Sequence, residues 1–247
     1  MLLDLHAHTS GISTCCRAPA PDILATAKKA GIDGIVLTNH YGKYLFKNSD
    51  AETFARAYTE EFRYAKQCGE AIGCTVFYGI EISMALYDNL HMLVYGVDEA
   101  FTLAHPNLCD LTMEELYHLA HEHDGIVVQP HPFRGQKRLQ NPAYLDGIEI
   151  NCHPGYGNSF CQEVTEIAVE NGLILTCGGD YHADCHRAFC GMDIPETVTD
   201  CASLVTYLKK ADVLTLHIQE PKDKGIYRIT YERKTGLCHK ECEEKAD

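Results

Sequence analysis

The sequence predicts a single-domain α/β protein built on a parallel sheet. Its 247 residues match the roughly 250 that one α/β barrel takes. Short apolar runs rich in β-branched residues alternate with helix-like segments along the chain. No internal repeat, low-complexity stretch or Pro-rich linker divides it. We therefore expect one domain over residues 1–235, followed by a polar, acidic tail over residues 236–247.

The expected strands are short and nearly continuous in apolar residues, which is typical of parallel strands covered on both faces. They comprise residues 2–5, 34–38, 75–82, 91–96, 126–129, 147–151, 173–177 and 213–218. The two runs between 75 and 96 lie close together around residues 87–89, which predicts a hairpin or an irregular corner. A last candidate strand, 227–231, precedes a tail whose end we expect to fray.

The segments between these runs have helical character and clear end signals. They comprise residues 21–30, 51–68, 111–124, 159–171 and 201–210. Asp110 or Thr112 is expected to cap the third helix, and Gly125 and Gly172 follow helix ends. Strand and helix therefore alternate, as in a doubly covered parallel sheet.

Composition excludes several classes of protein. The formal net charge is −14, which disfavours a broad basic surface for long nucleic acid. No run approaches the roughly 20 apolar residues of a membrane helix, and the first residues lack the pattern of a signal peptide. The 13 Cys lack the spacing of a secreted disulfide scaffold, so reduced thiols and a cytoplasmic location are expected.

Histidines and carboxylates concentrate at the ends of the apolar runs, where a parallel barrel builds its active site. The residues in question are His6, His8, His40, Glu81, His91, His131, Asp180 and His182. The pairs 6/8 and 180/182 have an i, i+2 spacing, which an extended backbone directs to one side. Burying so many such groups is costly without cations, so the pattern predicts a site for two or three divalent metals.

Five motifs then resemble those of the polymerase and histidinol phosphatase (PHP) family, in order and over almost the whole chain. They are Asp4-Leu5-His6-Ala7-His8-Thr9, Thr38-Asn39-His40, Gly79-Ile80-Glu81 with His91 and Tyr95-Gly96, Gln129-Pro130-His131-Pro132, and Gly178-Gly179-Asp180-Tyr181-His182. The second motif departs from the family's common Thr-Asp-His. The resemblance implies a distorted, TIM-like barrel of seven βα units and up to three zinc, manganese or iron ions.

The resemblance also implies a ligand set for each metal. His6, His8, Glu81 and Asp180 would hold the first, and Glu81, His91 and His131 the second, with Glu81 bridging. His40 and His182 would hold the third. Relatives often add a residue, commonly His, from the loop after the first motif. That loop has no His in this chain, so either Cys15 supplies a thiolate, which zinc or iron accepts readily, or it is an ordinary loop thiol.

These expectations point to hydrolysis of a small phosphomonoester. Paired metals make a bridging hydroxide available near neutral pH and hold phosphate oxygens for in-line attack, with Asp180 orienting the attacking group. Arg17, Arg134 and His153 are candidate clamps for the phosphate. Alternatively, Arg134 belongs to a basic loop with Lys137 and Arg138 that balances the acidic surface. His186 and Arg187 are weaker candidates for the pocket rim.

Two other functions stay open. A nuclease or nucleotide phosphodiesterase of the same family would need a basic track or stacking aromatics, and a metal-stabilised binding module would be expected to lose core ligands. Within the phosphatases, the histidinol phosphatase branch usually carries a Cys-x-His in the first loop, absent here.

The histidines at 118, 121 and 123 are expected on a solvated helix face. The segment 238–242 resembles a partial zinc site without a second ligand pair. The substrate, metal identity and oligomeric state are left open.

Overall fold

The computed structural model describes residues 1–247 except 48, 89, 135–138, 184–188, 223 and 245–247. Its strands are β1 (Leu2–Ala7), β2 (Gly34–Leu37), β3 (His40–Tyr41), β4 (Thr75–Ser83), β5 (His91–Tyr95), β6 (Ile126–Gln129), β7 (Gly147–Asn151), β8 (Ile174–Gly178), β9 (Cys190–Asp193), β10 (Val213–Gln219), β11 (Ile226–Glu232) and β12 (Leu237–Glu244). Its α-helices are α1 (Ala20–Lys29), α2 (Lys43–Phe46), α3 (Ala51–Ile72), α4 (Glu99–Ala104), α5 (Met113–Glu122), α6 (Cys161–Asn171) and α7 (Cys201–Lys210).

One curled sheet organises the molecule. Its order is β12-β11-β10-β9-β1-β2-β4-β5-β6-β7-β8, and β3 pairs with β4 beside β2. The pairs β1–β2, β2–β4, β6–β7 and β7–β8 are parallel. Apolar side chains of the strands and of the inner helix faces form one continuous buried core. The predicted α/β class is confirmed, but the expected parallel sheet is found only in part, because antiparallel pairs join the same sheet.

The edge strand β8 comes close to the interior strand β1 at the carboxyl ends of both strands. The amide of Asp180 donates to the carbonyl of His6 at 2.8 Å, and the amide of His8 donates to the carbonyl of Tyr181 at 3.2 Å. These bonds bring the segments that follow two distant strands into direct contact. The segments after β1 and β8, where functional side chains are expected, therefore lie side by side.

Local signals explain the helix ends. Thr112, not Asp110, caps α5, and it forms a reciprocal capping box with Glu115, which satisfies two backbone donors. Asp50 caps α3 by accepting the amide of Thr53. Gly172 follows α6 with φ of 66°, a left-handed conformation that glycine adopts without steric cost.

The expected barrel of seven βα units is not confirmed, because the sheet is not uniformly parallel. β5 pairs antiparallel with both β4 and β6, so the hairpin expected around residues 87–89 is present. β9 was not predicted, and it pairs antiparallel with β1. It opens an antiparallel extension that continues through β10, β11 and β12. Within the described residues, no helix is long and apolar enough to cross a membrane.

The expectation of a frayed tail is wrong for residues 237–244. They form β12, which pairs with β11 along its length. The ammonium of Lys240 lies 2.7 Å from a Glu220 oxygen and 4.2 Å from the centre of the Tyr227 ring. A polar, alternating sequence at the end of a chain predicts fraying, but alternation is also the pattern of an edge strand with one solvated face.

Truncation after Gly236 is expected to lower the free energy of unfolding by about 1–3 kcal/mol. It removes the β11–β12 ladder and leaves the side chains of Glu220 and Tyr227 without Lys240. The melting temperature should fall by roughly 2–4 °C for each kcal/mol lost, measurable by calorimetry. An unchanged melting temperature would mean that the segment behaves as a frayed tail after all.

Candidate metal centre

All eight predicted metal-ligating histidines and carboxylates converge at the edge where β1 and β8 meet. We call this group the His/carboxylate cluster: His6, His8, His40, Glu81, His91, His131, Asp180 and His182. Seven of them are at most 8% exposed and His91 is slightly more open. Three subsets bring their ligand atoms within 4.8 Å of one another: His6/His8/Glu81, His40/Glu81/His91 and His8/His40/His182.

Strand register accounts for the convergence on Glu81. His40 on β3 lies directly opposite Glu81 on β4. Across the antiparallel β4–β5 pair, Glu81 faces Leu93, which places His91 at the diagonal position two residues away. Opposite and diagonal neighbours on one face of a sheet are within side-chain reach. His131 comes from the segment that follows β6, the next strand along.

Two imidazole nitrogens lie close to each other and to the same two carboxylate oxygens. His6 Nε2 lies 3.0 Å from His8 Nε2, 3.3 Å from Glu81 Oε2 and 3.5 Å from Asp180 Oδ1. His8 Nε2 lies 3.3 Å from the same Glu81 oxygen and 3.1 Å from the same Asp180 oxygen. Tetrahedral ligands at zinc–nitrogen distances are about 3.3 Å apart. The spacing therefore fits a single divalent cation.

The Glu81 carboxylate faces two sides. Oε2 lies 2.8 Å from His40 Nδ1 as well as near His6 and His8. Oε1 lies 2.8 Å from His91 Nδ1 and 3.0 Å from His131 Nε2. A carboxylate with separate nitrogen partners on each oxygen has the geometry of a bridge between two cations.

A third group of candidate ligands consists of His8, His40 and His182. The ring centres of His8 and His40 are 4.5 Å apart, and those of His8 and His182 are 4.4 Å apart. Nδ1 of His182 lies 2.7 Å from the carbonyl of Asp180, a contact common in ligating histidines. The exposed Cys15 thiol lies beside this group, where it helps to raise the pKa of His40 against the effect of burial.

Several buried atoms of the cluster have no hydrogen-bond partner among the described residues. They include His40 Nδ1, Glu81 Oε2, Asp180 Oδ1 and His131 Nδ1. His40 Nδ1 and Glu81 Oε2 are nevertheless only 2.8 Å apart, so the two atoms are close without hydrogen-bond alignment. Unpaired buried polar atoms are costly. Cations at the centre would satisfy them, and the donor set of imidazoles and carboxylates fits divalent metals.

The electrostatics of the cluster favour ionised carboxylates. Burial raises the pKa of Glu81, but the imidazoles of His40 and His91 hold it well below its usual range. The same opposition, burial against His6 and His8, leaves the pKa of Asp180 well below its usual range. Both carboxyls are therefore charged at neutral pH and ready to bind cations.

The histidines divide into two kinds. Burial, with the like charge of His8 adding to it, lowers the pKa of His182 to about 3. Burial also lowers the pKa of His91 to about 4, against the attraction of Glu81. For His6, burial is outweighed by nearby carboxylates, chiefly Glu149, and its pKa lies well above its usual range. A cation bound beside His6 would replace its proton.

Backbone conformation is unusual at two candidate ligands. Asp180 has φ of 51° and His131 has φ of 35°, a left-handed region uncommon for residues other than glycine. Such conformations cluster at functional sites, where the surrounding structure enforces them. Gly178, two residues before Asp180, allows the backbone to lie close to His6 and Glu149. A Cβ at Gly178 would collide with His6 Cβ and lie 2.5 Å from Glu149 Oε1.

Glu149 is a functional candidate that the sequence reasoning missed. It is fully buried on β7, and Oε1 lies 2.8 Å from His6 Nδ1. Its other oxygen accepts from the amide of His131 at 3.2 Å and from Asn151 Nδ2 at 3.0 Å. A carboxylate on the second nitrogen of a ligating histidine fixes the ring orientation. A charged residue inside the apolar run Gly147–Asn151 was the available signal.

The candidate phosphate clamps are placed differently from one another. Arg134 is half-buried, with Nη1 3.9 Å from Asp180 Oδ2 and its guanidinium 4.5 Å from the centre of the Tyr156 ring. The His153 ring stacks on the same Tyr156 ring, with the two ring centres 4.5 Å apart. The backbone of Arg17 bonds to the carbonyl of His182, but its residue is exposed. Residues 137, 138, 186 and 187, for which the sequence makes predictions, lie outside the described residues.

One further sequence interpretation needs correction. His121 is not simply solvated, because Nε2 lies 3.0 Å from both Asp146 oxygens. The Cys-His-Cys segment of the tail lies in β12, where Cys238 and Cys242 are four residues apart. That spacing separates them by roughly 13 Å along a strand, too far for both thiols to bind one metal.

Replacing Glu81 with Ala is expected to remove two ions from the loaded protein, whereas His91→Ala should remove one. The reason is that Glu81 faces both sides of the cluster and His91 faces one. Elemental analysis after dialysis measures the difference. Equal metal content in the two variants would contradict the bridging role.

Gly178→Ala should weaken metal binding by at least about tenfold, since the new methyl displaces His6 and Glu149 from their positions. Gly73→Ala is the control for general destabilisation, because Gly73 has a left-handed backbone (φ of 66°) and nothing lies within 4 Å of its Cβ position. The control should lose about 1 kcal/mol of stability and keep its metal. Equal metal loss in both variants would show that general destabilisation is responsible.

Comparisons with known proteins bear on the fold. No family model and no curated protein matches this sequence. Among solved structures, it is similar to a two-domain protein from Bacteroides vulgatus containing a predicted PHP-like metal-dependent phosphoesterase (15% identity, TM-score 0.59). The match covers 94% of this chain and 64% of that one, so this chain spans less than two thirds of that protein.

Two other structures are similar over most of their length. One is a proposed metal-dependent phosphoesterase from Bifidobacterium adolescentis (18% identity, TM-score 0.53, 84% of this chain and 95% of that one). The other is an amidohydrolase from Chromobacterium violaceum with bound sulfate (15% identity, TM-score 0.56, 90% and 98%). The resemblance to PHP proteins drawn from the five motifs is thus confirmed at the level of the fold, which this chain shares with a predicted PHP-like phosphoesterase.

Proposed function

We propose that this protein is a metal-dependent hydrolase that cleaves small phosphomonoesters. The observation that carries the proposal is the ring of four ligand atoms from His6, His8, Glu81 and Asp180, in which each of the two imidazole nitrogens lies 3.0–3.5 Å from the other three atoms. Beside it, the second oxygen of Glu81 faces His91 and His131. Such paired sites are suited to in-line displacement at phosphorus.

The cluster residues divide into three proposed metal sites, for zinc, manganese or iron. His6, His8, Glu81 and Asp180 hold the first, and Glu81, His91 and His131 the second. His40 and His182 hold the third, with Cys15 as its additional ligand beside His40. When bound, the cations supply an activated water and neutralise charge on the phosphate oxygens.

Asp180 orients the attacking water in this proposal. Its Oδ1 belongs to the ring of ligand atoms, while Oδ2 accepts from Asn151 Nδ2 at 3.4 Å and faces Arg134 Nη1 at 3.9 Å. The carboxylate is therefore held on both sides and remains ionised at neutral pH. A fixed, charged acceptor next to the reacting centre suits a group that directs a water.

Arg134 provides the argument for an anionic substrate. It is a cation close to Asp180 of the cluster, and its guanidinium lies over the Tyr156 ring. Guanidinium groups bind phosphate oxygens bidentately. Arg17 would add a second positive charge from the first loop. The net charge of −14 opposes a polyanion, so a small phosphomonoester fits better than long nucleic acid.

The test is phosphate release by the purified protein supplied with manganese or zinc. The panel contains histidinol phosphate, nucleoside monophosphates and sugar phosphates, with an oligonucleotide and simple amides as competing classes. Release is expected from one phosphomonoester class, and Asp180→Asn should abolish it by at least about 10²-fold. Asp212→Asn, a substitution at an exposed carboxylate paired with Lys234, is the matched control and should retain full activity.

The other outcomes are distinguishable. Cleavage of the oligonucleotide alone would replace the phosphatase with a nuclease, and cleavage of amides alone would replace it with an amidohydrolase. A protein that binds metal in stoichiometric amounts but turns over none of these compounds would be a binding module.

A further inference from the structure

A continuous chain of hydrogen bonds runs from the candidate ligand His8 to Glu61 on helix α3. His8 Nδ1 lies 3.1 Å from Ser13 Oγ, which lies 2.9 Å from Asn39 Oδ1. Asn39 Nδ2 lies 2.9 Å from Thr9 Oγ1, which lies 2.6 Å from Glu61 Oε1. We call these four contacts the His8–Glu61 relay.

The direction of the relay is fixed at Ser13. Its hydroxyl oxygen accepts the backbone amide of His40 at 2.9 Å and has one proton to give. Asn39 Oδ1, which also accepts the amide of Thr9 at 2.8 Å, can only be an acceptor, so the Ser13 proton goes to it. Ser13 must then accept from His8, and His8 therefore carries its proton on Nδ1.

The remainder of the relay has the same direction. The Asn39 amide group donates to Thr9 Oγ1, and the Thr9 hydroxyl donates to the Glu61 carboxylate. Thr9 and Ser13 are fully buried and Asn39 is 2% exposed. Water therefore cannot readily replace a missing member, and each broken contact would leave a buried polar group unpaired.

Loop shape holds the far end of the relay in place. The amide of Ser13 donates to the carbonyl of Thr9 at 3.0 Å, which closes a turn over residues 9–13. Within that turn, a Cβ on Gly11 would collide with the Glu61 carboxylate. The loop backbone thus lies directly against Glu61, and only a residue without a side chain permits the approach.

We propose that Ser13, Asn39, Thr9 and Glu61 are positioning residues that fix His8 with its proton on Nδ1 and its Nε2 lone pair toward the metal. The inference rests on the proposed metal centre, because Nε2 is the His8 atom that lies among the ligand atoms of His6, Glu81 and Asp180. Asn39 continues the direction that is fixed at Ser13, because its side-chain amide accepts a hydrogen bond on one side and donates one on the other, which an ionised carboxylate cannot do.

The first measurement is Zn²⁺ affinity by chelator competition. Ser13→Ala removes the acceptor for His8 and should raise the Kd by about 10–100-fold. Thr9→Val removes the hydroxyl link to Glu61 while keeping the side-chain shape, and should raise the Kd by about 3–10-fold. Thr9→Ser retains the hydroxyl and should stay within about twofold of the wild type, as should Thr14→Ala, a change at an exposed position of the same loop.

The second measurement reports the proton itself. In ¹⁵N-histidine spectra of the zinc-loaded protein, His8 should show an Nδ1–H signal protected from exchange, and Ser13→Ala should lose that protection. A merely structural role for Ser13 would change the melting temperature without this loss. A wild-type Kd together with a protected signal in Ser13→Ala would overturn the proposal.

Two outcomes need separate treatment. If Ser13→Ala does not fold, the Thr9 pair decides, and an equal Kd for Thr9→Val and Thr9→Ser would overturn the relay. If the wild type binds no Zn²⁺, the proposed function fails. The relay is then judged from the metal-free protein at a pH high enough to make His8 neutral, where a proton on Nε2 instead of Nδ1 would refute it.

Discussion

The structure depends on one buried carboxylate. Glu81 is fully inaccessible to solvent, and its two oxygens lie 2.8–3.3 Å from nitrogens of five histidines. Those histidines come from four separate parts of the chain, so the carboxylate ties together the ends of strands that are distant in sequence. Burying this charge is costly unless it is compensated. Imidazoles supply part of the compensation, and cations among them would supply the rest.

Bringing these side chains together requires unusually close backbone approach. The sheet curls until the segments after β1 and β8 bond to each other. At that contact Gly178 makes room for His6 and Glu149, and Asp180 adopts a left-handed conformation. Outside the ligand ring, Glu149 holds His6 and Ser13 holds His8 through their second nitrogens. The ring is therefore fixed from outside before any cation is bound, which is the preorganisation a metal centre needs.

Much of this arrangement was predictable from the sequence. Apolar runs located β6 and β7 at Ile126–Gln129 and Gly147–Asn151, and α7 at Cys201–Lys210, and the i, i+2 pairs placed His6 with His8. Seven of the eight cluster residues lie at the end of an apolar run, where a titratable group is a local signal, and His91 begins the antiparallel strand β5. Because the ends of parallel barrel strands lie on one face, the same positions predicted that these side chains lie together.

The rest depends on contacts that a linear pattern does not encode. Glu149 is recognised as a partner of His6 only when β7 and β1 are side by side in space. β12 has an amphipathic pattern too polar to distinguish from a tail, and its strand state comes from pairing with β11. β5 interrupts the regular βα order because it runs antiparallel to β4 and β6. Strand direction, too, depends on the neighbouring strands and not on a local pattern. The relay from His8 to Glu61 likewise joins residues up to 52 positions apart.

The central claim is that the His/carboxylate cluster is a metal centre, and anomalous diffraction from crystals of the zinc- or manganese-loaded protein tests it most directly. The account predicts one anomalous peak about 2.0–2.2 Å from His6 Nε2, His8 Nε2, Glu81 Oε2 and Asp180 Oδ1. It predicts a second peak between Glu81 Oε1 and the rings of His91 and His131. Metal-loaded crystals with no peak at either position, or with peaks only at other residues, would contradict it.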